Sequence, residues 1–238
     1  DLHLGAPDRL TSLEREKLFV RWLNKIQKDA DAIYLLGDVF DFWFEYKKAI
    51  PKGYTRLLGK LSEIADSGIP IYFFTGNHDM WAFNYLKEEV GIKEIYKNPI
   101  EVSINNKKFY LGHGDGLGSG DRGYKMIKKI FANHFCQWLF ARIHPNLGIS
   151  IAEFWSKRSR IENEVKDKIN YRENEWLTQY CKEKIKTTNI DYFIFGHRHL
   201  PLDVKIKRNT RYINLGDWVK YNSYAIFDGE KVELKKFK

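Results

Sequence analysis

Seven histidines are spread over the 238 residues, and five of them stand where chemistry could use them. His78, His113, His197 and His199 each lie just beyond a short apolar run that ends in glycine, and His3 lies in the opening DLHLG. Asp1, Asp38, Asp41, Asn77, Asp79 and Asp115 stand beside them. Imidazole, carboxylate and a carboxamide together suit borderline-to-hard divalent ions such as Mn2+, Zn2+ or Fe2+ rather than thiophilic ones. The donors suffice for two ions. An aspartate shared by two cations about 3.5–4 Å apart is an arrangement used for phosphoryl chemistry. His134 and His144 follow no such run and read as ordinary structural residues.

Donors so far apart in the chain need elements that bring them together. Five apolar runs, AIYLLGD (32–38), IYFFTGN (71–77), FYLGHGD (109–115), YFIFGHRH (192–199) and YINLGDW (212–218), show little alternation, as strands covered on both faces do. The C-terminal strand ends of an α/β sheet share one rim, where ligands bind. Residues 12–26 and 54–68 carry helical patterns between runs, the first with a capping-box pattern in Thr11 and Glu14. Strand–helix–strand order implies a layered α/β core in one domain covering 1–238. Residues 223–237 read as two alternating strands around Asp228-Gly229, a strong hairpin signal. Residues 116–186 contain no convincing strand. They read as a helical lid insertion, about 121–186, with amphipathic 124–143 and further helices over 153–186.

Composition narrows the class. Cys136 and Cys181 form no CxxC motif and no disulfide framework, so a reducing cytosol is the default compartment. No run of about 18 apolar residues is present. Most of the net charge of +9 is local: residues 122–186 hold fourteen Lys or Arg against seven Asp or Glu. A basic field of this kind faces an anionic partner: nucleic acid, phosphate or an acidic lipid surface. Interleaving with large apolar residues, and the absence of a known nucleic-acid module, argue against nucleic acid.

The blocks DLH, GDVFD, GNHD, GHGD and GHRH occur in that order between residues 1 and 199. The series resembles the signature of the calcineurin-like metallophosphoesterases. That resemblance implies two central mixed β-sheets flanked by helices, and a dimetal hydrolase. One ion, most readily Mn2+, would take Asp1, His3, Asp38 and His199. The other would take Asp38, Asn77, His113 and His197, with Asp38 bridging. Water activated between the ions would attack phosphorus. His78 would bond the phosphate or protonate the leaving oxygen, Asp79 would orient His78, and Asp41 would support the loop or a ligand. In that family a buried strand runs directly into the DxH block, so further residues are expected upstream of Asp1.

The wider pattern, DLHLG with GDVFDFW, GHGDGLGSGDRGY and a basic helical insertion, resembles the UDP-2,3-diacylglucosamine pyrophosphatase branch of lipid A synthesis. The resemblance covers essentially the whole chain. It implies release of UMP and 2,3-diacylglucosamine 1-phosphate at the cytoplasmic face of a bacterial inner membrane, with the protein bound peripherally. Phe131, Phe135, Trp138, Leu139, Phe140, Phe154 and Trp155 could form a slot for acyl chains. Asn77, His78, Asp121, Tyr124, Ser156, Lys157 and Arg160 would contact the substrate, with Arg158 adding charge beside them. Better-known members carry arginine in a GNRD block where this chain has His78. The alternative is a related metallophosphoesterase acting on another phosphodiester, nucleotide diphosphate or phosphoprotein.

Overall fold

The computed structural model describes residues 1–118, 122–167 and 175–238. Its centre is two sheets packed face to face. The first is parallel, ordered β1 (Ile33–Leu35), β2 (Ile71–Phe74) and β3 (Glu94–Tyr96). The second is mixed, ordered β4 (Ile100–Ile104), β5 (Lys107–Leu111), β6 (Tyr192–Phe195), β8 (Thr210–Leu215) and β7 (Pro201–Lys207). Within it β5, β6 and β8 run parallel, and the flanking strands β4 and β7 are antiparallel.

Successive side chains of a strand point to opposite faces, and here each face meets a different layer. On β5 and β6, Phe109, Leu111, Tyr192 and Ile194 pack toward Leu36 and Phe74 of the first sheet. Their neighbours Tyr110, Phe193 and Phe195 pack on the other side against Leu177 and Cys181 of helix α7 (Trp176–Lys184). In the first sheet, Ile33, Leu35, Ile71 and Phe73 meet α1 (Arg9–Ile26) and α2 (Thr55–Asp66). The result is helix, sheet, sheet, helix. It explains why the strand sequences are apolar almost throughout.

Local chemistry differs from the sequence reading at three points. The N-cap of α1 is Asp8, whose carboxylate accepts from the Leu10 and Thr11 N–H groups, and Thr11 is already inside the helix. The C-terminal hairpin pairs β9 (Ser223–Phe227) with β10 (Val232–Lys236), but its loop has four residues. Asp228 closes it by accepting from the Glu230 and Lys231 N–H groups.

The third difference concerns the helical insertion. Between β5 and β6 lie α4 (Arg122–Ala132), α5 (His134–Phe140), α6 (Pro145–Asp167) and α7. The first three expose large apolar side chains, among them Phe135, Trp138, Phe154 and Trp155. Helix α7 instead buries Leu177, Thr178 and Cys181 completely. It is a core helix, unlike α4, α5 and α6. The short α3 (Tyr85–Glu88) lies between β2 and β3.

Two substitutions separate cap from core. Leu177→Ala is expected to cost about 2–5 kcal/mol of unfolding free energy. Trp155→Ala, at 58% exposure, should stay within about 1 kcal/mol of the parent. Urea denaturation of both variants measures the contrast; comparable losses would show the cap to be part of the cooperative core.

Candidate dinuclear metal centre

The loops after the strands converge above the two sheets. DLHLG lies alongside GDVFD through a short parallel ladder: the Leu2 and His3 N–H groups donate to the Asp38 carbonyl, Leu4 N–H to Val39, and Asp41 N–H to Leu4. The Arg15 guanidinium, buried on α1, donates to the carbonyls of Leu2, His3 and Ala6 at 2.9, 2.9 and 3.1 Å. Glu16 on the same helix accepts from the N–H groups of Arg56 and Leu57 at the start of α2. Helix α1 thus ties the DLHLG loop to the first layer.

Six side chains come together in two groups that share Asp38, with Asn77 beside the second and a further cluster of His3, Asp41 and His78 next to the first. Asp1, His3, Asp38 and His199 form one, and Asp38, His113 and His197 the other, with the donor atoms of each group within 4.8 Å of one another. In the first, His3 Nε2 lies 3.0 Å from His199 Nε2, 3.8 Å from Asp38 Oδ2 and 4.0 Å from Asp1 Oδ1. In the second, Asn77 Oδ1 lies 2.9 Å from His197 Nδ1 and 3.2 Å from His113 Nε2. The same Asp38 Oδ2 is 3.2 Å from His113 Nε2, so one carboxylate oxygen faces both groups. His134 and His144 are exposed on the cap and outside both.

The backbone makes this convergence possible at some cost. His3, Asp38, His197 and His199 all have left-handed φ, between 45° and 67°. Non-glycine residues adopt this region rarely, and at functional sites such strain is stored for geometry. Gly76 has a different role: a Cβ there would lie 2.2 Å from Asp38 Oδ1. Only glycine lets the GNHD loop approach the bridging carboxylate.

Hydrogen bonds set the ring orientations. His113 Nδ1–H donates to the Leu36 carbonyl at 2.8 Å, which turns Nε2 toward Asp38 and Asn77; burial disfavours charge on this ring, but Asp38 outweighs it and holds its pKa above the ordinary value. Asp41 Oδ1 lies 3.4 Å from His3 Nδ1, on the side of the ring away from His199. The His197 N–H donates to Asp1 Oδ2, joining the GHRH loop to DLHLG. Asn214, fully buried at the end of β8, donates to the Gly196 carbonyl and holds that loop from below.

The donor set fits divalent cations. Burial pushes the His3 and His197 rings down to about 3, so both keep neutral lone pairs. Burial opposes ionisation of Asp38, but His113 and His78 outweigh it and hold its carboxyl well below the usual range. Asp1 Oδ1 is buried without a hydrogen-bond partner. A buried, unpartnered carboxylate oxygen is costly unless something positive meets it.

Asp79 does not orient His78. Its carboxylate accepts from the N–H groups of Gly76 at 2.7 Å, Val39 at 2.8 Å, Asp38 at 3.3 Å and Phe40 at 3.4 Å. It fixes two ligand-bearing loops to each other. His78 is positioned instead by the Asp41 carbonyl and Ser156 Oγ, 3.0 and 2.8 Å from its Nδ1. Ser156 is buried on α6 and also donates to Asp41 Oδ2. Tyr124 on α4 donates its hydroxyl to Asp115. Both therefore support other side chains at the site. Lys157 is exposed next to Ser156, while Asp121 and the Arg160 side chain lie outside the described residues.

The sequence profile of the calcineurin-like phosphoesterases matches residues 1–201, and the chain belongs to that family. It is a hydrolase of that class. Over its full length it is similar to proteins named UDP-2,3-diacylglucosamine hydrolase. The one from Porphyromonas gingivalis is 38% identical, covering 99% of this chain and 94% of its own. Those from Proteus mirabilis and Shewanella halifaxensis are 29% and 28% identical, covering 100% and 98% of this chain and 96% and 94% of theirs.

The reassignment of Asp79 has a direct consequence. Asp79→Asn replaces an acceptor of four N–H groups with a neutral amide. Bound metal, counted by elemental analysis after Mn2+ loading and desalting, should fall below two per chain, with a loss of about 2 kcal/mol in stability. Two retained ions with only a slower turnover would restore the catalytic reading of Asp79.

Proposed function

We propose that this protein hydrolyses the pyrophosphate of UDP-2,3-diacylglucosamine, releasing UMP and 2,3-diacylglucosamine 1-phosphate. The observation that carries this reading is the pair of donor groups sharing Asp38 Oδ2, in a chain similar along its whole length to hydrolases named for that substrate.

Asp1, His3, Asp38 and His199 would hold one divalent ion, and Asp38, Asn77, His113 and His197 the other. When bound, the ions, Mn2+ in this reading, neutralise phosphate charge and make water acidic enough to supply a nucleophile near neutral pH. The chain's own groups do the rest. His78 has its Nδ1 engaged by Asp41 and Ser156. With Nδ1–H held by these groups, Nε2 is directed outward, and carrying its own proton it would donate to the phosphate or to the leaving oxygen. Asp41 serves two histidines at once, supporting His3 through its carboxylate and His78 through its carbonyl. Asn77 adds an amide beside the phosphate. Tyr124, Lys157 and Arg158 would complete head-group recognition, joined by Asp121 and Arg160 as the family resemblance implies.

The cap supports a lipidated substrate. Phe135, Trp138, Phe154 and Trp155 are all more than half exposed on helices that also carry Lys and Arg. Such a surface suits acyl chains and an anionic lipid interface together. No helix among the described residues is long and apolar enough to cross a membrane. Peripheral attachment to the cytoplasmic face of the inner membrane belongs to this proposal, as does the absence of a nucleic-acid partner.

The test is hydrolysis of UDP-2,3-diacylglucosamine by the Mn2+-loaded protein, with UMP release followed by chromatography. Turnover is expected, and Asp38→Asn should abolish it by removing the shared oxygen's charge. A wild-type protein that cleaves bis(p-nitrophenyl) phosphate but releases no UMP would exclude this substrate while keeping the metal centre. Positioning of His78 is read separately. Ser156→Ala should lower kcat about ten-fold or more, with two ions still bound; loss of metal instead would make Ser156 part of the ligand framework.

A further inference from the structure

A cavity of about 410 Å3 opens beside the second donor group, and nothing in the metal chemistry requires it. Its inner end is His113, Gly114 and Asp115. One wall is the end of β3 and the segment after it, with Tyr96, Asn98 and Pro99, and the opposite wall is α4, with Lys125, Lys128 and Lys129. Its size lies within the range of small-molecule sites, about 300–1,000 Å3.

The lining has a definite chemistry. Phe74 and Tyr96, with ring centroids 5.0 Å apart, and Pro99 form an apolar floor against which a planar ring can stack. Asn98 offers an amide with both donor and acceptor at the rim. The single carboxylate, Asp115, is already answered by Lys128 at 2.6 Å and by the Tyr124 hydroxyl. Lys125 donates to the Gly118 carbonyl. Lys129 has no acidic partner among the described residues. An uncompensated cation, a flat apolar floor and an amide edge together suit a base, a sugar and a phosphate.

Position gives the cavity an orientation. His113 lines it and lies 3.2 Å from the bridging Asp38 oxygen, so its inner end is at the second donor group. At the other group, His78 meets Ser156 of α6, the helix that exposes Phe154 and Trp155. A pyrophosphate lying across the two groups therefore has a polar, cationic pocket at one end and apolar cap helices at the other.

Resting on the hydrolase reading above, we propose that this cavity is the nucleotide subsite: it holds the pyrimidine nucleoside monophosphate half of the substrate, with the base over Tyr96 and Lys129 on phosphate. The substrate then runs in one direction, its nucleotide at the His113 end and its acylated sugar at the His78 end.

Calorimetric titration of the Mn2+-loaded protein with UMP tests this without turnover. Lys129→Ala and Asn98→Ala change exposed side chains, and the double variant Lys129→Ala/Tyr96→Leu removes both the charge and the ring. UMP affinity should fall about ten-fold or more in the double variant and measurably in each single variant. Affinity for 2,3-diacylglucosamine 1-phosphate should change less than about two-fold. Unchanged UMP affinity in the two single variants overturns the proposal, whatever happens to folding in the double. An equal loss for both products also overturns it, because the cavity would then not discriminate the halves. The substrate reading fails differently: Lys129-dependent UMP binding with no release of UMP from UDP-2,3-diacylglucosamine would keep the pocket as a nucleotide site and remove that substrate.

Discussion

Much of the site depends on one buried carboxylate that accepts from the backbone of two loops at once. Asp79 accepts from the N–H groups of Gly76, Asp38, Val39 and Phe40, and so clamps the GNHD loop to the GDVFD loop. The clamp opposes a real strain. Asp38 sits in the left-handed region, which costs a non-glycine residue on the order of 1–2 kcal/mol. Hydrogen bonds to an ionised carboxylate contribute roughly 1.5–3 kcal/mol each, and two of the four here are short. The clamp therefore outweighs the strain it imposes. Burial and the neighbouring Asp38 push the Asp79 carboxyl up to about 6, which makes the four donors all the more necessary to its charged form.

The same logic repeats around the rim. Each ligand loop is held by a polar group buried beneath it: Arg15 under DLHLG, Asp79 between GDVFD and GNHD, the Leu36 carbonyl behind His113, and Asn214 under GHRH. Strained loops on a rigid floor hold donor atoms closely placed before any cation arrives, so little ordering remains to be done on binding. The floor is rigid because the central strands that lead into the ligand loops are covered on both faces. A site on the rim of a half-exposed sheet would lack that support.

What the sequence disclosed and what it hid follow from this arrangement. The seven donors were legible because metal ligation demands particular side chains, and the turns after strands demand glycine beside them. The five central strands were legible because double coverage removes polar positions, whereas β3, β4 and β7 were not, since their apolar runs are shorter or alternate with exposed polar residues. Supporting groups were not legible. Arg15 looks like any surface arginine in an amphipathic helix until the DLHLG carbonyls are seen to face it. Helix α7 follows a long helical stretch with no composition break, so only its packing against Phe193 and Phe195 shows that it belongs to the core. Asp79 was misread for a related reason. Adjacency to His78 in sequence suggested a pair, but in a tight loop neighbouring side chains diverge, and its carboxylate turns inward to the backbone.

Among the described residues the cap meets this framework through two kinds of contact. Phe42, Phe44 and Trp81 form a buried aromatic patch on the loops that carry Asp41 and His78, and Phe131, Phe140 and Ile149 of the cap cover it. This apolar contact is broad and tolerant of small shifts. The second contact is narrow: Ser156 reaches Asp41 and His78, while Tyr124 and Lys128 reach Asp115. Directional bonds of this kind register movement of the cap on Asp41, His78 and Asp115. An apolar hinge region with polar contacts at the site couples cap position to the state of the centre. A substrate that occupies the cap helices at one end and the α4 cavity at the other would therefore hold His78 and Asp115 in place from both sides, and the chemistry would be best supported when both ends are filled.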